Sequence, residues 1–344
     1  MHKDDNIVNT GWWNLKYCIY SDEIKKYNIE WRFKLEYINS KDFKLTGTNV
    51  TFGKFDGIHK GHRFLIDELK KQKEINQGKI VVFTFDFRLM PKSIRKDLEE
   101  IYTSKEKREI LEALGVDVMI EYPLDQEGAD MSPEDFVREV ICKKIGAKYL
   151  AVGHDFTFGK KAAGTPTLLE KMSINCGYAV DIFEKIEIDK LEVSSTLVRS
   201  YLREGKIQEA NKLLGMNYYI KGVVEKGKQL GRTIGFPTAN VIPEEVKLLP
   251  RNGVYATKTT ILDGAYAGRV YKGMTNIGVR PTVGNQTQKW VETNFFDCDD
   301  DLYGAAIKTE FYAFTRPETN LGSVEALKNR LTLDKKQIED MKYY

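Results

Sequence analysis

The segment NVTFGKFDGIHKGH, residues 49–62, decides how the first half of the chain folds. The β-branched and aromatic run at 49–52 predicts a strand, and the glycines that follow predict a turn. Apolar residues then recur with helical spacing over 63–76, so a helix follows the turn. A strand, a glycine-bearing turn and a helix in this order place the turn at a helix N-terminus, which is a typical site for an anion.

Strands and helices continue to alternate after this segment, which predicts an α/β domain built on a doubly wound parallel sheet. Gly115 ends one predicted helix, while Ser132 and Pro133 begin another as its N-cap and first helical residue. The other predicted elements are a buried strand at 80–85, a helix at 105–114, and strands at 116–120 and 149–152.

The pattern changes near residue 215, where helices predicted at 195–202 and 207–214 give way to short strands. These strands, at 219–224, 253–260, 264–271 and 305–311, predict a small antiparallel β-barrel, followed by a helix at 324–341. We therefore predict four regions: an aromatic-rich extension at 1–43, an N-terminal domain at 44–205, a linker helix region at 206–218 and a C-terminal domain at 219–344.

The composition fits a two-domain globular protein of 344 residues, with 42% hydrophobic and 30% charged residues. A net charge of +3 from 53 basic and 50 acidic residues argues against a nucleic-acid surface. No apolar run is long enough to cross a bilayer, so we expect no membrane association. The first residues lack a hydrophobic signal core, and the cysteines show no CxxC pair. We therefore expect free thiols and a cytoplasmic location.

Two of the four histidines, His59 and His62, stand three residues apart at the start of the first predicted helix. Both can face the same side of its first turn, where an imidazole can donate a hydrogen bond to a phosphate oxygen. The alternative is that both histidines only cap or pack against the turn. The whole turn enters the predicted nucleotide site, with Gly53, Phe55, Asp56 and Gly57.

Two further segments can join this site. Asp155 lies in GHDFTFG (153–159), directly after a predicted strand, at the sheet edge where α/β domains bind ligands. Phe156 and Phe158 there suit a planar ring, although a tight aromatic-filled loop is the alternative. VSSTLVR (193–199) opens a helix with hydroxyl residues, and Arg199 can clamp a triphosphate if this helix folds back toward the histidines. Otherwise the segment is a helix cap with a surface arginine.

A second phosphate-type segment, GRTIGFPTAN, occupies residues 231–240. Gly231 and Gly235 let the backbone approach a bulky anion, and Pro237 fixes the direction of approach. Thr238 and Asn240 carry the hard oxygen ligands that a Mg²⁺–phosphate complex prefers. Two phosphate segments in one chain indicate two nucleotide-dependent steps.

A candidate general base lies in the strand-like run WVET (290–293). Glu292 has apolar neighbours, and a carboxylate inside a small barrel can accept the proton of a hydroxyl. The alternative is a surface glutamate on an alternating strand.

In this order, the segments resemble the prokaryotic bifunctional riboflavin kinase/FMN adenylyltransferase (FAD synthetase) family over about residues 47–341. The HxGH pattern is shared by many nucleotidylyltransferases, whereas GRxxGFPTAN is far more specific. The blocks that carry the resemblance are GKFDGIHKGH (53–62), VGHDFTFGKKAAG (152–164), VSSTLVR (193–199), GRTIGFPTAN (231–240), NIGVRPT (276–282), VETNFFD (291–297), DLYG (301–304) and RPE (316–318).

For the N-terminal domain, the resemblance implies an adenylyltransferase that converts FMN and ATP to FAD and pyrophosphate. His59 and His62 would bind the ATP phosphates, and Ser195, Thr196 and Arg199 would complete the nucleotide site.

For the C-terminal domain, the resemblance implies a six-stranded flavokinase barrel that phosphorylates riboflavin with ATP to give FMN. Thr238 and Asn240 would hold Mg²⁺ and phosphate, and Glu292 would act as base on the riboflavin 5′-hydroxyl. The expected nucleotide contacts of this half are Gly231, Arg232, Gly235 and Pro237.

The chain departs from the family pattern at two positions and over its first 43 residues. The family commonly shows Thr-Phe-x-Pro-His-Pro where this chain has TFDFRLMP (84–91), and Lys54 replaces the asparagine of GNFDG. Two other functions were weighed, a nucleotidylyltransferase joined to a barrel without kinase activity and a non-enzymatic flavin sensor. The presence of Thr238, Asn240 and Glu292 argues against the first, and the presence of His59, His62 and Glu292 argues against the second. The sequence leaves self-association open.

Overall fold

In a computed structural model of the chain, the residues described are 35–89, 99–227, 230–281 and 287–342. The N-terminal half builds its sheet from strands β1 (Glu36–Ile38), β2 (Thr48–Phe52), β3 (Lys79–Asp86), β4 (Val118–Pro123), β5 (Ala147–Gly153) and β6 (Ala179–Phe183). A small hairpin of β7 (Glu187–Ile188) and β8 (Leu191–Glu192) follows. Its helices are α1 (Lys60–Asn76), α2 (Ser104–Ala113), α3 (Gln126–Asp130), α4 (Pro133–Asp135), which continues as a π-helical stretch (Phe136–Lys144), α5 (Pro166–Cys176), α6 (Ser195–Glu204) and α7 (Ile207–Leu214).

The N-terminal sheet has the strand order β1-β4-β3-β2-β5-β6, and all neighbouring strands are parallel. The chain runs from β2 outward to β3 and β4, and then returns to β5 on the other side of β2. This reversal confirms the predicted doubly wound sheet and places its switch point between β2 and β5. The central strands are buried on both faces, as their β-branched and aromatic sequences require.

The edge strand β1 lies in the part of the chain that the sequence analysis assigned to the extension. Residues 36–38 pair in parallel with 118–120 of β4, so the end of the predicted extension belongs to the N-terminal sheet. Three residues on a partly exposed edge carry too little alternation to be recognised. Residues 1–34 of the predicted extension lie outside the described residues.

The C-terminal half is the predicted antiparallel barrel. The strand order is β10-β13-β12-β11-β14-β9, and the Glu225 amide closes the circle by donating to the Asn240 carbonyl at 2.8 Å. Its strands are β9 (Tyr219–Val223), β10 (Ala239–Val241), β11 (Gly253–Ile261), β12 (Val270–Pro281), β13 (Thr287–Phe295) and β14 (Ala306–Arg316), and its helices are α8 (Leu230–Thr233) and α9 (Val324–Glu339).

The strand predicted at 264–271 is wrong over residues 264–269. Gly264–Tyr266 forms a single 3₁₀ turn, and β12 begins only at Val270. Gly264 and Gly268 have φ angles of +74° and +86°, a left-handed backbone that a strand excludes. The apolar residues in this run therefore belong to a tight hairpin connection between β11 and β12.

The N-terminal domain and the barrel meet at a buried ion pair. Lys247 Nζ lies 2.6 Å from Glu106 Oε2 on α2 and 2.9 Å from the Ile101 carbonyl oxygen. The rings of Tyr102 and Tyr218 surround the ammonium, with centroids 4.5 and 4.9 Å away. The contact joins the two halves directly, while the residue limits proposed above for each domain stay predictions.

Within the described ranges, we find no helix that is long and apolar enough to span a membrane.

Candidate active sites

A cavity of about 230 Å³ opens at the carboxyl ends of β2 and β5, at the switch point of the N-terminal sheet. Two helix N-termini reach its wall, those of α1 and α6, so two sets of backbone N–H groups converge there. Of the residues predicted for the nucleotide site, the wall contains Gly53, His59, His62, Asp155 and Ser195.

The two histidines are stacked, with ring centroids 3.8 Å apart, and Phe55 stacks on the outer face of His62 at 4.4 Å. His59 caps α1, because its Nδ1 accepts the backbone N–H of His62 at 3.4 Å. A neutral His59 in this role carries its proton on Nε2, which leaves that nitrogen as a donor.

Burial sets the charge of this pair. It lowers the pKa of His59 to about 4 and the pKa of His62 well below its usual value. Both rings are therefore neutral at pH 7, and they offer N–H dipoles to an anion rather than full positive charges. The Nδ1 atom of His62 is buried and has no hydrogen-bond partner among the described residues.

Local backbone geometry explains the residue types in the GKFDGIHKGH turn. Phe55 and Ile58 adopt positive φ angles of 47° and 45°, and their fully buried side chains hold this uncommon conformation in place. A Cβ atom on Gly61 would lie 3.2 Å from the His59 ring, so a side chain there would crowd the histidine pair.

Arg199 lies elsewhere than the sequence analysis expected. Its Nη2 is 2.5 Å from Asp56 Oδ2, and its Nη1 donates to the Glu99 carbonyl oxygen at 2.7 Å. The other oxygen of Asp56 accepts the Ile101 amide at 2.9 Å. The structure therefore brings Asp56 and Arg199 to each other as a tie between the turn and α6, and neither lies on the cavity wall.

Of the remaining residues predicted for this half, some line the cavity and others lie away from its wall. Phe55 and Gly57 are packed inside, where a Cβ on Gly57 would meet Ile101 at 3.1 Å, and Thr196 is exposed outside the wall. Phe156 lines the cavity, whereas Phe158 is buried in an aromatic cluster, which supports the alternative of an aromatic-filled loop for Phe158.

Two charged residues on this wall, Glu184 and Lys185, were not predicted from the sequence. Lys185 follows β6, and its Nζ lies 3.3 Å from Asp155 Oδ2 and 2.9 Å from Glu192 Oε2. β6 was not among the predicted strands, so nothing marked its carboxyl end as part of the site. The alternating run at 179–183 is the signal that identifies it.

The barrel contains two adjoining cavities, of about 290 and 80 Å³. Thr238 and Asn240 line both of them and so stand between the two. The larger cavity also contains the charged residues Glu292, Arg316 and Glu318. Its apolar side chains are Ile234, Phe236, Val254, Met274, Leu321, Leu327 and Leu331. The smaller one is more polar and contains Arg232, Asp300, Asp301 and Tyr303.

Strand register brings the polar residues of the larger cavity together. Glu292 on β13 stands opposite Asn240 on β10 and opposite Asn276 on β12. Directly opposed residues share one face of a sheet, so the three side chains form a row across the strands. At the end of the row, Asn276 donates from Nδ2 to Glu318 Oε1 at 3.2 Å.

The oxygens near Thr238 fit a magnesium ion. Asn240 is 3% exposed, and its Oδ1 has no hydrogen-bond partner among the described residues. A buried acceptor left unpaired next to a threonine hydroxyl matches the hard oxygen ligands that Mg²⁺ takes together with substrate phosphates. Across the same described residues, no cluster of three or more His, Cys, Asp or Glu side chains could hold a metal ion.

The two glycines of GRTIGFPTAN allow its loop to turn tightly. A Cβ on Gly231 would lie 2.2 Å from the Phe236 carbonyl oxygen, and the Phe236 amide donates back to the Gly231 carbonyl at 2.8 Å. Gly235 has a φ of +84°. Gly231 lines the larger cavity and Pro237 the smaller one, whereas Gly235 lies on neither wall.

Helix α9 forms one side of the larger cavity through Leu327 and Leu331. It is fastened to the barrel by Asp334, which is fully buried and accepts from Arg316 Nε at 2.9 Å and Nη2 at 2.7 Å. Arg330 pairs with the same carboxylate at 3.0 Å.

Comparison with known proteins matches both halves of the chain. The FAD synthetase family matches residues 42–197, and the riboflavin kinase family matches residues 214–342. A solved structure from Streptococcus pneumoniae, described as a macrolide-efflux protein, has a TM-score of 0.79 at 29% identity and covers 90% of this chain and 100% of its own.

Curated relatives align over most of the length of both chains. The bifunctional riboflavin kinase/FMN adenylyltransferase of Bacillus subtilis (strain 168) is 34% identical over 295 residues, covering 84% of this chain and 90% of the relative. The protein of the same name from Escherichia coli (strain K12) is 32% identical over 293 residues, with 84% and 90% covered. The chain therefore belongs to the bifunctional riboflavin kinase/FMN adenylyltransferase family of enzymes.

Proposed function

We propose that the two activities of this family divide between the cavities described above. The barrel phosphorylates riboflavin with ATP to give FMN, and the N-terminal cavity adenylylates FMN with a second ATP to give FAD and pyrophosphate. The observation that carries the proposal is the presence of two separate polar sites, one in each matched half: the neutral histidine pair at two helix N-termini and the Asn240–Glu292–Asn276 row.

In the kinase step, the larger cavity suits a flavin because its walls are mainly apolar and it holds a carboxylate at the polar row. Glu292 accepts the proton of the riboflavin 5′-hydroxyl while that oxygen bonds to the γ-phosphorus of ATP and the bond to ADP breaks. The smaller cavity, beyond Thr238 and Asn240, takes the phosphates of the nucleotide. Mg²⁺, held by these two residues, would neutralise charge on the transferred phosphoryl group.

In the adenylylation step, a phosphate oxygen of FMN bonds to the α-phosphorus of ATP, and pyrophosphate leaves. The nucleophile is already an anion, so the site has no need of a strong base. His59 and His62 supply N–H donors for phosphate oxygens, and the N-termini of α1 and α6 add backbone donors. Gly53, Asp155 and Ser195 position the nucleotide from the wall, and Arg199 supports this site indirectly by fixing Asp56.

Product analysis tests this assignment. Purified full-length protein with riboflavin, ATP and Mg²⁺ should form FMN first and FAD second, as followed by chromatography. Conversion of FMN to FAD without any phosphorylation of riboflavin would instead indicate a barrel without kinase activity, and flavin binding without product would indicate a sensor. Cytoplasmic location and self-association stay predictions that fractionation and light scattering address.

A further inference from the structure

The charges on the wall of the N-terminal cavity do not suit a triphosphate as they stand. With both histidines neutral, the charged side chains among its described residues are Asp155, Glu184 and Lys185. Two carboxylates repel an anion, and Arg199, the cation expected here, is held by Asp56 away from the wall. Lys185 is thus the single cationic side chain on this wall in the part of the chain that the structure describes.

Lys185 stands where it can exchange partners. Its ammonium bridges Asp155, on the loop after β5, and Glu192, on strand β8, at 3.3 and 2.9 Å. Its side chain is 32% exposed, so the ion pairs are hydrated and weak. An ammonium on a flexible four-carbon stem can leave a carboxylate for a more highly charged phosphate group.

We propose that Lys185 is a phosphate-binding residue of the adenylylation site. Its ammonium releases Asp155 and binds the triphosphate of ATP, and afterwards the pyrophosphate product. The inference rests on the proposed function of this cavity. Lys185 supplies the positive charge that the neutral histidines lack. Asp155 holds its ammonium at the wall while the site is empty of nucleotide.

The competing explanation is that Lys185 is structural and only fastens the β7–β8 hairpin through Glu192. The two explanations make opposite predictions for Glu192, which lies outside the cavity wall. Removing the Glu192 charge breaks the hairpin contact, but it leaves Lys185 freer to bind phosphate. Removing the Lys185 charge abolishes both the hairpin contact and the phosphate binding.

The experiment compares Lys185→Met, Lys185→Arg and Glu192→Gln in the full chain. We expect Lys185→Met to raise KM for ATP in FAD formation, and the Kd of Mg²⁺–pyrophosphate measured by calorimetry, by about 10- to 100-fold, the range of a charge-assisted hydrogen bond. Lys185→Arg should retain most of the affinity, and Glu192→Gln should leave KM for ATP unchanged or lower it. FMN formation by the barrel reports that each variant is folded.

Equal increases in KM for ATP in Lys185→Met and Glu192→Gln would overturn the proposal in favour of the structural role. Unchanged pyrophosphate affinity in Lys185→Met would overturn it as well. Failure of the wild-type protein to form FAD from FMN would contradict the proposed function, whereas the pyrophosphate titration still compares wild type with Lys185→Met in that case.

Discussion

At the residue scale, the chemistry depends on groups whose charge is set by burial. His59 and His62 are kept neutral because they are enclosed by Phe55, by each other and by the α1 turn. A neutral imidazole keeps an N–H donor without attracting the carboxylates nearby, so positive charge must come from other groups.

The histidine pair predicts how stability changes with pH. The pKa of His59 is about 4 in the folded protein and about 6.5 when unfolded, so the unfolded state binds the proton more tightly. This contribution is present above pH 6.5 and is lost as pH falls toward 4. The free energy of unfolding should drop by about 3 kcal/mol from His59 alone over that window.

Urea unfolding at several pH values between 7 and 4 measures this slope. His59→Gln should flatten it, and His154→Gln, a change at an exposed histidine, is the matched control. Equal slopes in His59→Gln and wild type would show that folding does not lower the pKa of His59.

Glu292 gives the second prediction at this scale. Glu292→Gln keeps the size of the side chain and its place in the row with Asn240 and Asn276, but it cannot accept a proton. Riboflavin should bind near normally, and kcat for FMN formation should fall by roughly 10²–10⁴-fold. Glu318→Gln changes the other carboxylate on the wall and should lower kcat far less. Stopped-flow or product assays with added riboflavin check both, and near-normal kcat in Glu292→Gln would remove it from the mechanism.

At the element scale, short ties position the walls of the sites. The Arg199–Asp56 contact fixes α6 against the turn before α1, and the Arg316–Asp334 contact fixes α9 against the barrel. The Arg199–Asp56 contact lies behind the wall of the N-terminal cavity. In the barrel, Arg316 lines the larger cavity, whereas its partner Asp334 is buried behind the wall.

The α9 tie predicts a selective effect on riboflavin. Asp334→Asn leaves Arg316, whose side chain is 12% exposed, without its counter-charge, and removing one partner of such a pair costs about 3 kcal/mol. Loosening α9 displaces Leu327 and Leu331, so KM for riboflavin should rise while FAD formation from FMN stays near normal. Arg330→Met, which removes the outer ion pair only, should have a much smaller effect. Equal changes in the two variants would show that the tie does not position α9.

Sequence patterns predicted elements with local signals and failed where tertiary contacts decide. Helix α7 ends at residue 214 as predicted, and α6 ends two residues beyond its predicted end, in each case before a glycine with a left-handed φ angle, Gly215 or Gly205. Ser194 caps α6. The fate of Arg199 could not be predicted, since its partner Asp56 lies 143 residues away. Lys185 was missed because β6 was missed, whereas the row around Glu292 needed strand register that no local pattern contains.

At the scale of the whole molecule, the buried Lys247–Glu106 ion pair joins the two enzymatic halves. Lys247 of the barrel is 2% exposed and pairs with Glu106 of α2, which is itself 4% exposed. Glu106 also accepts the Thr103 amide at 2.9 Å as part of the α2 capping box. The joint between the halves therefore also stabilises the start of a helix in the N-terminal domain.

This joint predicts a coupled stability effect. Lys247→Met leaves a buried carboxylate unpaired and should lower the free energy of unfolding by about 3–5 kcal/mol. Adding Glu106→Gln removes that unpaired charge, so the double variant should recover part of the loss. Denaturant unfolding of the wild type, the two single variants and the double variant gives a double-mutant cycle, which measures the interaction energy between Lys247 and Glu106. Additive losses would show that the two residues do not interact across the joint.

The central claim is that one chain carries two independent active sites, and mixing two inactivated full-length proteins tests it most directly. His62→Ala removes a donor from the N-terminal cavity and should lower FAD formation by about 10²–10³-fold while FMN still forms. Glu292→Gln should lower FMN formation while added FMN is still converted to FAD. Neither variant alone should convert riboflavin to FAD at an appreciable rate, but an equimolar mixture should, with free FMN passing between them. If each variant loses both activities and the mixture stays inactive, the division of the two reactions between the cavities is contradicted.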